Sequence, residues 1–549
     1  MFKRNKFLIL FIIVAIASFL RLWQLGSFPP GLYSDEAVNG INAIQALKIA
    51  PPDGGFKVFY PENFGREGLF INAQALSVAV FGNEAWALRI ISSLLGILTV
   101  LGIYFLAKEL FTTASSVYGK ELDENNPSSR EASEDTKWFI TKIALLAAFF
   151  VATSFWHINF SRIGFRAISA PFWATWAFYF TFLAFRKMHE LRIMNYELWN
   201  GEKSGNNNSL FLIRYSSLIP YALATIAGLF FGLGFHSYIS FRVFPLIALF
   251  TLLYLGQKFG WKKTLKLAAV FAAAATIAFL PLGWYFLHNP ADFFGRTSQV
   301  SVFHSPTMLK DLAGNVIKTA GMFNFFGDFN QRHNIAGQPE LYWPVGIMFL
   351  LGVIGAKLRF KNIGNKSWRF VYYFLLIWLA VAALPVVISD EGIPHALRSI
   401  LMVPAVFIFA ATGGIWLYEK IRVVISAQGD HIRVRIQKAL LWFIFLMFLP
   451  SLALGTYTSY FNVWGPDPKT AEAFNKSTTD FAYELRALPR ELKKYVIVPP
   501  GDMRVNIVQF LTDSYRPEDQ KTKNIYYFQP DQVDENKALK EGIYVAHIK

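Results

Sequence analysis

The sequence predicts a mainly α-helical, polytopic membrane protein, and three observations carry that expectation. Apolar runs of spanning length recur along the whole chain, and the charges gather in the breaks between them. The composition, 54% hydrophobic and 17% aromatic against 16% charged over 549 residues, is too apolar for a water-soluble globule of this size. A hydrocarbon core of about 30 Å needs roughly 20 apolar helical residues. Runs of that order fall at 7–25, 85–107, 138–156, 167–185, 215–234, 239–257, 267–287, 342–356, 370–388, 396–417 and 439–457, giving about 11 transmembrane helices.

The first run follows MFKRNK and is succeeded by GSFPPG with no small-x-small cleavage site, so it is expected to be a retained span. A net charge of +16 would suggest nucleic acid if it formed one basic patch. Here the Lys and Arg residues sit in short breaks, which points to membrane topology and to no nucleic-acid partner. With Lys3, Arg4 and Lys6 cytoplasmic, the loops 108–137, 186–214, 257–266, 357–369 and 418–438 also lie inside. They carry Arg186, Lys187, Lys258, Lys262, Lys263, Lys357, Arg359, Lys361, Arg422, Arg433 and Arg435, as the positive-inside rule requires. Within the first of these loops, KELDENNPSSREASEDTK is acidic, polar and turn-rich, and no chemistry is assigned to it.

The outer face then receives loops 26–84, 157–166 and 288–341, a turn near 235–240, the SDEGIPH turn, and a tail from about 458. The predicted division is a membrane domain over 1–457 and a small external α/β domain over 458–549, where ELKKYVIVPPGD reads as strand and turn, MRVNIVQFLTDSY as helix and EGIYVAHIK as a closing strand. VIVPPGD lacks the glycine spacing and lysine of a phosphate loop. No cysteine is present, which removes disulfides, thiolate nucleophiles and Cys-ligated metals.

Chemistry-bearing side chains collect on the outer face. His157, His236, His288, His304, His333 and His395 all fall there, and ionisable groups near membrane depth often mark sites. In YSDEAVNGINAIQALK the apolar residues Ala37, Ile41, Ile44 and Leu47 recur at helical spacing, predicting a short amphipathic helix on the outer membrane surface, capped by Ser34 or Asp35. Capping and dipole complementarity, together about 0.5–2 kcal/mol, give Asp35 and Glu36 a plain structural reading. Adjacent helix residues diverge, so one of the two carboxylates faces any reaction and the other the scaffold.

The segments RLWQLGSFPPGLYSDEAVNG, REGLFINAQALSVAVFGNEAWALRIISSLLG, SFWHINFSRIGFRAISAPF, GLGFHSYISFRVFPL, FFGRTSQVSVF, GDFNQRHNIAGQPEL and PHALRSI, in this order and spacing over about residues 1–464, resemble the bacterial family 39 glycosyltransferases. These are relatives of protein O-mannosyltransferases and of the aminoarabinose transferase that modifies lipid A. The resemblance implies a GT-C fold and transfer of a sugar from a polyprenyl-phosphate carrier at the outer side of the membrane, to an acceptor that ranges over protein, lipid and glycan. It also implies an acidic base or acceptor-orienting residue in the first external loop, a role that falls on Asp35 with Glu36 beside it. A second acidic position of the family falls on Glu67, followed here by Gly68-Leu69 where relatives often carry a Lys-Pro pair.

Such a transfer needs a base for the acceptor hydroxyl and cations for the departing phosphate. The outer face offers Arg66, Arg162, Arg166, Arg242 and Arg398, backed by His236, His333, His395 and Arg332; arginine binds phosphate through a planar, permanently charged fork. Snorkelling to lipid headgroups is the alternative for each. Arg242 and Arg398 weigh more, because each lies just inside the outer end of an apolar run. Asp328, Asn330, Arg332, His333 and Asn334 either line a pocket or satisfy one another in a turn. No His-x-x-His or Asp-x-Asp pattern occurs in the external loops, so no metal ligands and no cofactor are expected beyond the polyprenyl-linked donor. Two other classes fit a polytopic envelope protein: a lipid or polysaccharide transporter, whose usual internal repeats and midplane polar groups are not evident, and a non-catalytic assembly partner acting through its tail.

Overall fold

The computed structural model describes residues 5–51, 54–118, 134–199, 217–299, 302–362, 367–427 and 431–548. Seven of the described helices are long and apolar enough to cross a membrane: Ala85–Ser115, Arg166–Leu191, Ile239–Phe259, Trp261–His288, Trp368–Val387, Ile400–Ser426 and Ile432–Trp464. An eighth candidate is Glu134–Ala152 followed by Phe155–Arg162, bent by 55°. The other three predicted runs are also helical but shorter: α1 (Lys6–Leu22, 17 residues), Ile219–Gly234 and the apolar Trp343–Gly355. The acidic insertion lies mostly outside the described residues.

The bend has an identifiable chemistry. Helix ends leave carbonyls without partners, and here the buried Arg21, in the last turn of α1, donates to the carbonyls of Val151 and Ala152, both at 3.0 Å. Across the break, the Ser154 hydroxyl accepts from the His157 N–H and starts the next helix. Arg162 closes that helix and donates to the carbonyls of Leu20, Trp23, Gln24 and Phe28 at 2.7–3.1 Å, while its guanidinium lies over the rings of Tyr460 and Phe461. A cation occupied in this way organises the turn after α1.

The loop 26–84, predicted to be the first external one, is more structured than its sequence suggests. It contains α2 (Ser34–Lys48), the short antiparallel pair β1 (Phe59–Tyr60) and β2 (Arg66–Glu67), and an apolar helix, α3 (Gly68–Phe81), that the periodicity did not separate from the loop. The expectation that α2 lies on the membrane surface is corrected: an unbroken stretch from Glu36 to Ile44 is buried. The helix packs against α3 on one side and against Val505–Leu511 on another. Small residues make this possible, since a Cβ on Gly40 would sit 2.5 Å from the ring of Phe510. Ser34 begins the helix and Tyr33 is its cap, with the Glu36 carboxylate accepting from the Tyr33 N–H at 3.2 Å.

Beyond the last span, three parallel strands, β3 (Lys494–Ile497), β4 (Ile525–Phe528) and β5 (Tyr544–His547), form a sheet of order β4-β3-β5. The core has two main parts. One runs through the membrane helices; the other joins α2, α3 and the start of α4 (Ala85–Tyr118) to the sheet and helices of the tail.

Candidate functional site

A cavity of about 320 Å³ opens where the predicted outer loops converge. Eight of the thirteen site residues expected from sequence line it: Asp35, Arg66, Glu67, Arg166, Arg242, His333, His395 and Arg398. They arrive from well-separated parts of the chain, so only the fold brings them together.

The two adjacent carboxylates diverge as helical geometry demands. Asp35 is half-buried in the cavity wall, and no hydrogen bond or ion pair occupies its carboxylate among the described residues. Glu36 is fully buried and saturated: it accepts from Arg89 Nε at 2.9 Å, Arg89 Nη2 at 3.1 Å, the Gly164 N–H at 2.7 Å and the Tyr33 N–H. Arg89 also donates to the carbonyls of Pro29 and Gly31. Glu36, expected beside Asp35 as a catalytic residue, is thus engaged in the framework and does not line the cavity.

Glu67 stands between two guanidinium groups. Its Oε2 accepts from Arg166 Nε at 2.7 Å, and its Oε1 lies 3.9 Å from Arg242 Nη2. Arg242 also donates to the Phe293 carbonyl at 2.6 Å and lies over the Phe293 ring, whereas Arg166 rests over Tyr238. With its oxygens engaged, Glu67 serves to hold two cations side by side. Arg66 bonds to Asn39 and, at 2.5 Å, to Asn42; burial beside Arg166 pushes it down to about 10, which leaves it cationic at neutral pH. Arg398 bonds to Ser389 and to Glu391, whose carboxylate is 63% exposed and so only weakly neutralising.

Behind the far wall lies Asp328. One oxygen accepts from the Asn330 N–H at 2.8 Å; the other accepts from the Ala396 N–H at 2.8 Å and lies 2.9 Å from His333 Nδ1 and 3.8 Å from His395 Nδ1. Burial opposes its ionisation, but the His333 hydrogen bond and the two imidazoles hold it below the usual carboxylate range. Burial, with His333 and Arg398 adjacent, pushes His395 down to about 3, so its ring is neutral at physiological pH. One ligand atom from each of Asp328, His333 and His395 falls within 4.8 Å of the others. The sequence offered no local metal motif, because His395 lies far along the chain; both Asp328 oxygens are nonetheless already engaged in hydrogen bonds.

Five expected residues do not line the cavity. Besides Glu36, Arg162 is consumed by the carbonyls after α1, and His236 bonds to the Ala278 carbonyl at 3.0 Å. Asp328 supports the histidines from behind, and Arg332 stacks over Tyr33 at 4.2 Å. The polar loop thus divides: only His333 reaches the cavity, while Asn330 and Asn334 bond within the turn. Of the six outer histidines, His333 and His395 reach the site. The sequence reading missed Asn39, Tyr238, Asp292 and Ser389 as lining residues. Asn39 was recoverable, since it stands one helical turn after Asp35; its side chain bridges Arg66 and the Gly164 carbonyl.

The apolar helices and the charged cavity at their predicted outer end can be set beside known proteins. Residues 70–120 match a family described as dolichyl-phosphate-mannose-protein mannosyltransferase. The particular structures it resembles are ArnT from Cupriavidus metallidurans bound to undecaprenyl phosphate, with TM-score 0.52, and the same protein in the apo state, with TM-score 0.50. Each is 12% identical, over 98% of this chain and 89% of the other, so the likeness is one of fold. No curated protein matches the chain. The family match spans 51 residues and the structural likeness is one of fold, both on a multi-pass membrane protein.

Proposed function

We propose that the protein transfers a sugar from a polyprenyl-phosphate donor to an acceptor hydroxyl on a protein, lipid or glycan at the outer face of the cell membrane. The observation that carries this reading is the unoccupied carboxylate of Asp35 sharing one cavity with Arg66, Arg166, Arg242 and Arg398. Asp35 takes the proton of the acceptor hydroxyl, the acceptor oxygen bonds to the anomeric carbon, and the bond from that carbon to the phosphate oxygen breaks. Polyprenyl phosphate departs with the electron pair, its charge met by the arginines in a partly water-excluded site. Glu67 keeps Arg166 and Arg242 together against their mutual repulsion.

The distribution of Lys and Arg supports a cytoplasmic N-terminus and an external tail, and every loop that lines the cavity falls on the predicted outer side. ArnT, whose fold is similar, has been crystallised with undecaprenyl phosphate, which supports a donor of that kind in a lipid environment. The step as written uses no cofactor and no metal, and prolonged chelation is expected to leave it intact. The test is a vesicle assay with a panel of polyprenyl-phosphate sugars, reading released polyprenyl phosphate. Asp35→Asn is expected to lower the rate by about 100-fold or more, the scale of lost general-base catalysis; a variant with full activity removes Asp35 from the mechanism.

A further inference from the structure

The helix carrying Asp35 has a second, fully occupied side. Asp35, Asn39 and Asn42 follow one another at helical spacing toward the cavity and Arg66. On the back of the helix Gly40 receives the ring of Phe510, a fully buried residue of the tail helix Val505–Leu511. Both ends of α2 are also tied to the tail. At its start, the Leu32 N–H donates to Thr479 Oγ1 at 2.8 Å, Asn475 donates to Ser34 Oγ at 3.2 Å, and the backbone of Phe474 and Lys476 leaves no room for a side chain on Gly31. At its end, Gln45 donates to the Tyr515 hydroxyl at 2.8 Å, Lys48 pairs with Asp513 at 2.6 Å, and Arg516 donates to the Lys48 carbonyl at 3.3 Å.

A 15-residue helix of modest apolarity does not hold its own orientation in water; packing does. We propose that the tail positions Asp35: Phe510, seated on Gly40, and the polar contacts at both ends of α2 fix the helix so that Asp35 and Asn39 stand in the cavity wall. Phe510 does not line the cavity and is a positioning residue, acting through α2. This inference rests on the reading that Asp35 acts on substrate. It assigns the tail a part in turnover, distinct from recruitment of other envelope proteins.

The test uses the full-length protein in vesicles. Phe510→Ala is expected to lower kcat about 10-fold with donor KM changed less than about two-fold, because misplacement of a reacting group acts on turnover and not on donor binding. Phe510→Leu, which refills the seat, is expected to restore most of the rate. Amide exchange within 34–48 should accelerate in Phe510→Ala while exchange within Ala85–Ser115 stays as in the parent. Should Phe510→Ala fold poorly, Lys48→Ala, which breaks a partly exposed pair at one end only, is expected to speed exchange in the last turn of α2 and lower kcat about two-fold. Unchanged exchange in 34–48, or unchanged kcat despite faster exchange, overturns the proposal. Absence of transfer by the parent protein with every donor, alongside faster exchange in Phe510→Ala, refutes the proposed activity and leaves the mechanical coupling standing.

Discussion

The two sides of α2 use neighbouring residues of the same chemistry in opposite ways. Toward the cavity, Asp35 keeps its carboxylate free of hydrogen bonds among the described residues; toward the interior, Glu36 gives every oxygen to Arg89, Gly164 and Tyr33. One residue of register separates a group that can accept a proton from one that holds the scaffold. A carboxylate's partners, more than its identity, set its role, and the same contrast separates Arg398 from Arg162 on the cationic side.

The sharpest way to break the comparison is to replace each carboxylate by its amide. Asp35→Asn should cost about 100-fold or more in transfer rate while leaving the thermal unfolding temperature of the detergent-solubilised protein within error of the parent. Glu36→Gln should do the reverse in kind: it leaves the fully buried Arg89 with a neutral partner, and losing one half of a buried pair costs roughly 3–5 kcal/mol. That loss would appear as a marked drop in unfolding temperature, with residual turnover in the fraction that stays folded. A rate loss for Asp35→Asn explained by misfolding would erase the distinction.

The arginine pair gives a smaller effect. Arg398→Ala is expected to raise donor KM by about 10-fold, as loss of a charge-assisted phosphate contact does, with little change in unfolding temperature. Arg162→Ala should lower the unfolding temperature and leave donor KM near that of the parent, since its donors end on four backbone carbonyls. Equal KM effects in the two variants would merge what the structure separates.

The smallest effect concerns acidity. His395 is held down to about 3, below the value near 6.5 that it takes in an unfolded chain. The unfolded state therefore binds more protons between these values, and the stability tied to the neutral ring is complete above about pH 6.5 and drains away as pH falls toward 3. Unfolding temperatures at about pH 7 and about pH 4.5 should show this slope, and His395→Gln should flatten it.

Much of this architecture was legible in the sequence because it depends on one-dimensional quantities. The eleven apolar runs are helical over their described residues, and Arg242 and Arg398, selected as charges just inside the outer ends of such runs, face one cavity together with Asp35. What stayed hidden depends on pairings across distance. Arg162 and Arg398 both count among the outer cations expected from sequence, yet the carbonyls that engage Arg162 lie more than 130 residues away. Arg89 is 53 residues from Glu36, and nothing local marks the two as partners. The 14 residues of α3 fall short of a span, which hides the helix within its loop, and the buried back of α2 meets a tail helix more than 450 residues further on, which no local pattern declares.

The bend after Ala152 carries a further consequence. It directs the following short helix toward Gly164, whose N–H is bound by Glu36 and whose carbonyl is bound by Asn39. One glycine thus joins the segment after the bend to the helix that carries Asp35. Lipids of different acyl length tilt membrane helices, so a tilt of this segment would be felt at the chamber wall without any ligand being bound.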